Sequence, residues 1–107
     1  MPTEAVLVRI INNDSSNPPG KLADAELHFA DGPLAGLKLI GFAVWERRGG
    51  NGRNVTFPAR QYSVNGERRS FALLRQLDDN SHGTGAVRDL ILAAYAAHEA
   101  AASAVQA

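Results

Sequence analysis

Hydrophobic and polar positions divide the chain into short alternating segments followed by one longer periodic one. Ala5-Val6-Leu7-Val8-Arg9-Ile10-Ile11 is rich in β-branched residues and too short for a helix, so it predicts a first strand. Asn12 to Lys21, with Pro18-Pro19 and several Asn and Ser residues, predicts a loop. Ala25, Leu27 and Phe29 alternate with Asp24, Glu26 and His28, the pattern of a half-buried second strand with a wet acidic face. Leu37 to Trp45 is apolar at nearly every position and predicts a third strand covered on both faces. Gly41 in its middle predicts a bulge or a close backbone approach.

A glycine-rich basic loop, Glu46 to Arg53, leads to a short fourth strand, Asn54 to Phe57, stopped by Pro58. Asn65-Gly66 is a strong two-residue hairpin signal, because both positions tolerate positive φ. Arg69 to Leu77 predicts a fifth strand with Phe71, Leu73 and Leu77 on one side, and Phe57 and Phe71 in the core. Val87, Leu90, Ile91, Ala94, Tyr95 and His98 recur at helical spacing, so a helix capped by Thr84 runs to about Ala102, ahead of a frayed 103–107. The expectation is one α+β domain over 1–107, with its core in 22–98 and a loop at 12–21: an antiparallel sheet meander of about five strands with a C-terminal packing helix.

Composition narrows the class. A chain of 107 residues with 45% hydrophobic and 21% charged residues falls in the globular range and makes one domain. It has no cysteine, so disulfides, thiolate metal sites and thiol nucleophiles are excluded. No apolar run approaches membrane-spanning length, and Met-Pro-Thr-Glu has no secretory character, so the expected location is cytoplasmic. The net charge of zero conceals a marked asymmetry. Residues 1–46 and 76–107 carry −3 each, whereas 47–75 carry seven arginines and one acid, for +6. Such a basic middle points to a polyanionic partner.

The candidate binding residues are therefore Arg47, Arg48, Arg53, Arg60, Arg68 and Arg69, whose guanidinium groups grip phosphate bidentately. Arg68 and Arg69 are adjacent on a strand, so at most one joins any given stripe. Arg75 shares the parity of Arg69, Phe71 and Leu73 and is expected to be a partly buried structural arginine paired with Asp24 or Glu26. Trp45, Phe57, Tyr62 and Phe71 would stack on bases wherever they are exposed. Asp78, Asn80, His82, Gly83 and Asp89 have calcium-loop spacing, but His82 is a poor ligand and a strand precedes them. They read instead as a strand-to-helix loop. His28, His82 and His98 lie on separate elements, and Ser63 and Ser70 lack a nucleophile-elbow context. No catalytic residue, metal, cofactor or small-molecule substrate is expected.

Gly52-Arg53-Asn54-Val55-Thr56-Phe57-Pro58-Ala59-Arg60 resembles the Gly-x-x-Val-x-x-Pro-(Ser/Ala)-(Arg/Lys) signature of the SpoVG family (stage V sporulation protein G, septation regulators). The Asn65-Gly66-Glu67-Arg68 turn and the helix segment Leu90 to Tyr95 follow in the family's order, and the likeness covers roughly residues 22–98. The resemblance implies a small bacterial α+β regulator, a homodimer joined through its sheets, that binds DNA or RNA and has no catalytic activity. The family places a basic stretch at the helix start, where this chain has Thr84-Gly85-Ala86. Nucleic-acid contact is therefore expected to rest on the arginines of 47–69 and to be phosphate-dominated. The alternative is a protein–protein interaction module that keeps the fold without binding nucleic acid.

Overall fold

The computed structural model describes residues 5–13, 18–50, 52–78 and 82–106, without the side chains of Arg48 and 103–106. The fold is α+β, as expected, but the strands divide into two sheets. β1 (Val6–Asn12), β2 (Lys21–Phe29), β3 (Lys38–Glu46) and β4 (Arg53–Thr56) form an antiparallel sheet in that order. β5 (Ala59–Val64) and β6 (Glu67–Ala72) form a separate two-stranded ribbon. α1 (Gly83–Gln106) packs across β1 and β4.

Alternation determines what the sheet buries. Ala23, Ala25 and Leu27 of β2 face α1, joined by Phe42 and Val44 of β3 and Val55 of β4. Ile91 and Tyr95 fill the groove from the helix, and Ile91 is fully buried. Side chains of this size each contribute about 1.5–3 kcal/mol on leaving water. Phe57 joins this core and meets Phe42 edge-to-face, with ring centroids 5.3 Å apart. At the far end, His98 Nε2 lies 3.1 Å from Asn12 Oδ1 and ties α1 to the end of β1.

Gly41 performs both roles that its position predicts. Ala25 pairs with Phe42 and Leu27 with Leu39, so Ile40 and Gly41 together oppose Glu26 in a bulge. Gly41 has φ +108°, and a Cβ there would lie 2.9 Å from Pro58 Cβ. The close approach lets the chain leave the sheet at Pro58 and enter the ribbon. On its return, Leu73 N donates to Pro58 O at 3.0 Å and closes the ribbon's root.

Several sequence expectations are corrected. Strand three is not covered on both faces: Phe42, Ala43 and Val44 are buried, but Leu37 and Ile40 are more than half exposed. The reason is that α1 covers only one face of the sheet: Ile40 is turned to the other face, and Leu37 precedes β3 at the sheet's end. The fifth strand ends at Ala72, and Leu77 is 99% exposed. Phe71 lies on the open ribbon instead of in the core. Thr84 does not cap the helix, which begins at Gly83; its hydroxyl donates to Gln76 Oε1 at 2.8 Å. The helix continues past Ala102 to Gln106. The calcium-spaced loop includes residues 79–81, which lie outside the described residues.

Every residue of β5 and β6 is exposed. The radius of gyration is 15.8 Å and the long axis 54 Å. A compact chain of this length would have a radius near 13 Å. The excess reflects an arm that buries little against the body.

Candidate functional site

The basic segment does not form one patch. It is distributed over a loop, a sheet strand and the two faces of the ribbon, and each location gives its arginines a different task.

The loop follows β3. Residues 48–50 make a tight turn, with Gly50 N donating to Arg47 O and Arg47 N to Gly52 O, both at 2.9 Å. Gly49, Gly50 and Gly52 all have positive φ, which lets so short a loop close. Arg47 is exposed and no described acid pairs with it. It lines an open cleft of about 630 Å³ with Lys21 and Glu46. The Arg48 side chain, also a candidate, lies outside the description.

Arg53 points the other way, into the structure. Its Nη2 sits 2.8 Å from Glu99 Oε2, and its guanidinium stands 5.0 Å from the Tyr95 ring centroid. Burial, with Glu99 adding to it, pushes the Tyr95 hydroxyl above its ordinary range. Arg53 thus fastens β4 to α1. We expect Arg53→Ala to lower the unfolding free energy by about 1 kcal/mol, the worth of a half-exposed ion pair plus a cation–π contact. Urea denaturation reads that loss, and any nucleic-acid affinity should stay within about two-fold of the parent.

The ribbon sorts the remaining arginines by parity. Asn65 (φ 51°) and Gly66 (φ 81°) make the two-residue turn, which pairs Val64 with Glu67, Tyr62 with Arg69 and Arg60 with Phe71. Cross-strand partners share a face, so Arg60, Tyr62, Arg69 and Phe71 lie together. Tyr62 and Phe71 are diagonal neighbours with centroids 5.7 Å apart, and both are about 40% exposed. Arg68 lies on the opposite face with Gln61, Ser63 and Ser70. Among the described residues no acid pairs with Arg60 or Arg68, and Arg69 has only a loose contact with Glu67 at 3.9 Å.

Arg75 differs from expectation. It reaches neither Asp24 nor Glu26. Its Nε donates to Ala72 O at 2.8 Å, and its guanidinium stands 5.7 Å from the Phe71 ring centroid. Asp24 pairs instead with Lys21, and Glu26 with His28 and Lys38. The His28 hydrogen bond, with help from Lys38, holds the Glu26 carboxyl below the ordinary carboxylate range, against an opposing effect of burial. Arg75 is therefore exposed beside Phe71 at the end of the ribbon, not partly buried against Asp24 or Glu26. Counting outward from the Asn65-Gly66 turn is the signal that assigns Arg60, Tyr62, Arg69 and Phe71 to one face.

No helix among the described residues is long and apolar enough to cross a membrane. Compared with known protein families, characterised proteins and solved structures, the chain matches none.

Proposed function

We propose that this chain is a small nucleic-acid-binding regulatory protein of SpoVG-like character, acting by binding and not by catalysis. The observation that carries the reading is the ribbon face on which Arg60 and Arg69 flank two exposed rings, with Arg75 beside them. A two-stranded ribbon open on both faces is marginal alone. A polyanion bound along this face would neutralise its charge and order it. Arg47 adds a contact from the glycine loop. Arg53 is withdrawn from the binding set by Glu99, and Arg68 by its position on the opposite face.

The test is fluorescence anisotropy of a labelled oligonucleotide from 50 to 300 mM salt. Three or four phosphate contacts should give a log K against log salt slope of about −3. A flat dependence overturns the proposal and leaves the protein-interaction alternative.

The proposal includes a second copy. The sheet face away from α1 presents Leu7, Ile11 and Ile40 among Arg9, Lys38, Asp24 and Glu26. Its acids are already paired within the chain, so the face carries little net charge and its apolar side chains can meet those of a second copy across a two-fold axis. Sedimentation equilibrium at micromolar concentration should give twice 11.4 kDa. Leu7→Glu with Ile40→Glu should return the single-chain mass. A parent mass of 11.4 kDa would remove the dimer.

A further inference from the structure

From the ribbon geometry we infer that the face takes single-stranded nucleic acid, with unpaired bases stacking on Tyr62 and Phe71. This rests on the nucleic-acid reading above and specifies which form is bound. Each ring has a guanidinium as its direct cross-strand partner: Arg69 opposite Tyr62 and Arg60 opposite Phe71. One nucleotide needs that pair of groups, a π face for its base and a forked donor for its phosphate.

The two faces of the ribbon differ in chemistry. Ala59, Gln61, Ser63, Ser70 and Ala72 make the opposite face small and polar, with no ring to stack on. The aromatic side is also the more basic one, with Arg60, Arg69 and Arg75 against Arg68 alone. Arg75 is held over Phe71 by its bond to Ala72 O, so a third planar group lies beside the rings. Guanidinium planes stack on bases as ring faces do.

A duplex has no use for half of this surface. Its bases are already stacked and offer only edges and phosphates, so it would engage the arginines and leave the rings idle. Unpaired bases offer their faces to both rings. Stacking tolerates any base, which predicts weak sequence preference. The charge favours a polyanionic strand over a neutral protein segment: residues 59–75 hold four arginines and one acid.

The experiment uses the full chain and four labelled 15-mers: oligothymidylate, oligouridylate, a mixed-sequence DNA duplex and an abasic strand. At about 0.15 M salt, both single strands should bind at least ten-fold tighter than the duplex, and the abasic strand should lose that advantage. The ratio of oligothymidylate to oligouridylate distinguishes DNA from RNA as the source. Tyr62→Leu and Phe71→Leu should each weaken single-strand binding about ten-fold and leave the duplex affinity unchanged, while Tyr62→Trp should retain binding. Equal affinity for strand, abasic strand and duplex, all salt-dependent, overturns this inference and spares the broader reading. Loss of binding in Tyr62→Leu accompanied by a change in sedimentation mass assigns the ring to a subunit contact and also overturns it. Failure of all four probes to bind overturns both.

Discussion

Gly41→Ala should lower the unfolding free energy by about 3–5 kcal/mol and the melting temperature by about 15 °C or more. Two costs combine. The φ of +108° lies outside the region a side-chain-bearing residue adopts without strain, a cost of about 1–3 kcal/mol. The added methyl also meets Pro58, with Cβ at 2.9 Å and Cα at 3.4 Å. A proline ring and its backbone cannot swing aside as the end of a lysine could, so the clash moves the root of the ribbon away from β3. Overpacking of that kind costs a further 1–3 kcal/mol, about half the expected total. Pro58→Gly in the Gly41→Ala background should recover the steric part and leave the backbone part. Coupling between the two sites in a double-mutant cycle would show it. Gly85→Ala is the control with the opposite sign. Among the described residues no atom outside its neighbours and the helix's own backbone lies within 4 Å of its Cβ position, and it sits in α1, where alanine is favoured by roughly 0.8–1 kcal/mol. Thermal and urea denaturation measure both. A Gly41→Ala protein as stable as the parent would mean that the bulge does not hold the sheet and the ribbon together.

Elements that depend on local pattern were legible in the sequence. The alternation at Ala25, Leu27 and Phe29 and the stripe from Val87 to His98 locate the core of β2 and α1, because each periodicity belongs to one kind of secondary structure. Asn65-Gly66 places the hairpin, and Gly41 marks the bulge. What depends on coverage was not legible. Phe71 sits in an alternating run like any core strand, and nothing local reveals that β6 departs from the sheet and is left uncovered. Leu37 and Ile40 mislead in the same way: apolar sequence predicts burial only where another element arrives. Arg53 illustrates a third limit. It belongs to the most basic loop in the sequence, yet its partner Glu99 is 46 residues away on α1, and only the tertiary packing brings them within 2.8 Å. The parity of Arg75 with Phe71 and Leu73 points to Asp24 or Glu26 on a neighbouring strand, but the strand that would carry it there ends at Ala72, and its side chain turns back onto Phe71. The total of +6 over residues 47–75 therefore overstates what any single surface presents.

Replacing Arg60 and Arg69 together by alanine should weaken nucleic-acid binding about 25- to 60-fold near 0.1 M salt and flatten the log K against log salt slope by about 1.4–1.8. Each phosphate contact contributes about 0.7 to that slope on single strands and about 0.9 on duplex, equivalent to roughly five- to eight-fold in affinity at that salt. The two side chains share one face, neither is held by a close acid partner among the described residues, and neither supports the core, so folding should be unaffected. Arg68→Ala is the decisive comparison. It removes the same charge from the same ribbon one residue away from Arg69, but from the face with Gln61, Ser63 and Ser70. If binding follows net charge alone, Arg68→Ala and Arg69→Ala should have equal effects. If it follows the geometry of the face, Arg69→Ala weakens binding by roughly five-fold or more and Arg68→Ala by less than about two-fold. Glu67 sharpens the test further. Its carboxylate shares the face with Arg69 at 3.9 Å, so Glu67→Gln should tighten binding modestly by freeing that guanidinium. Anisotropy titrations of the four variants at two salt concentrations separate the cases. Equal losses for Arg68 and Arg69 would rule out the ordered face and leave only diffuse attraction to a basic arm.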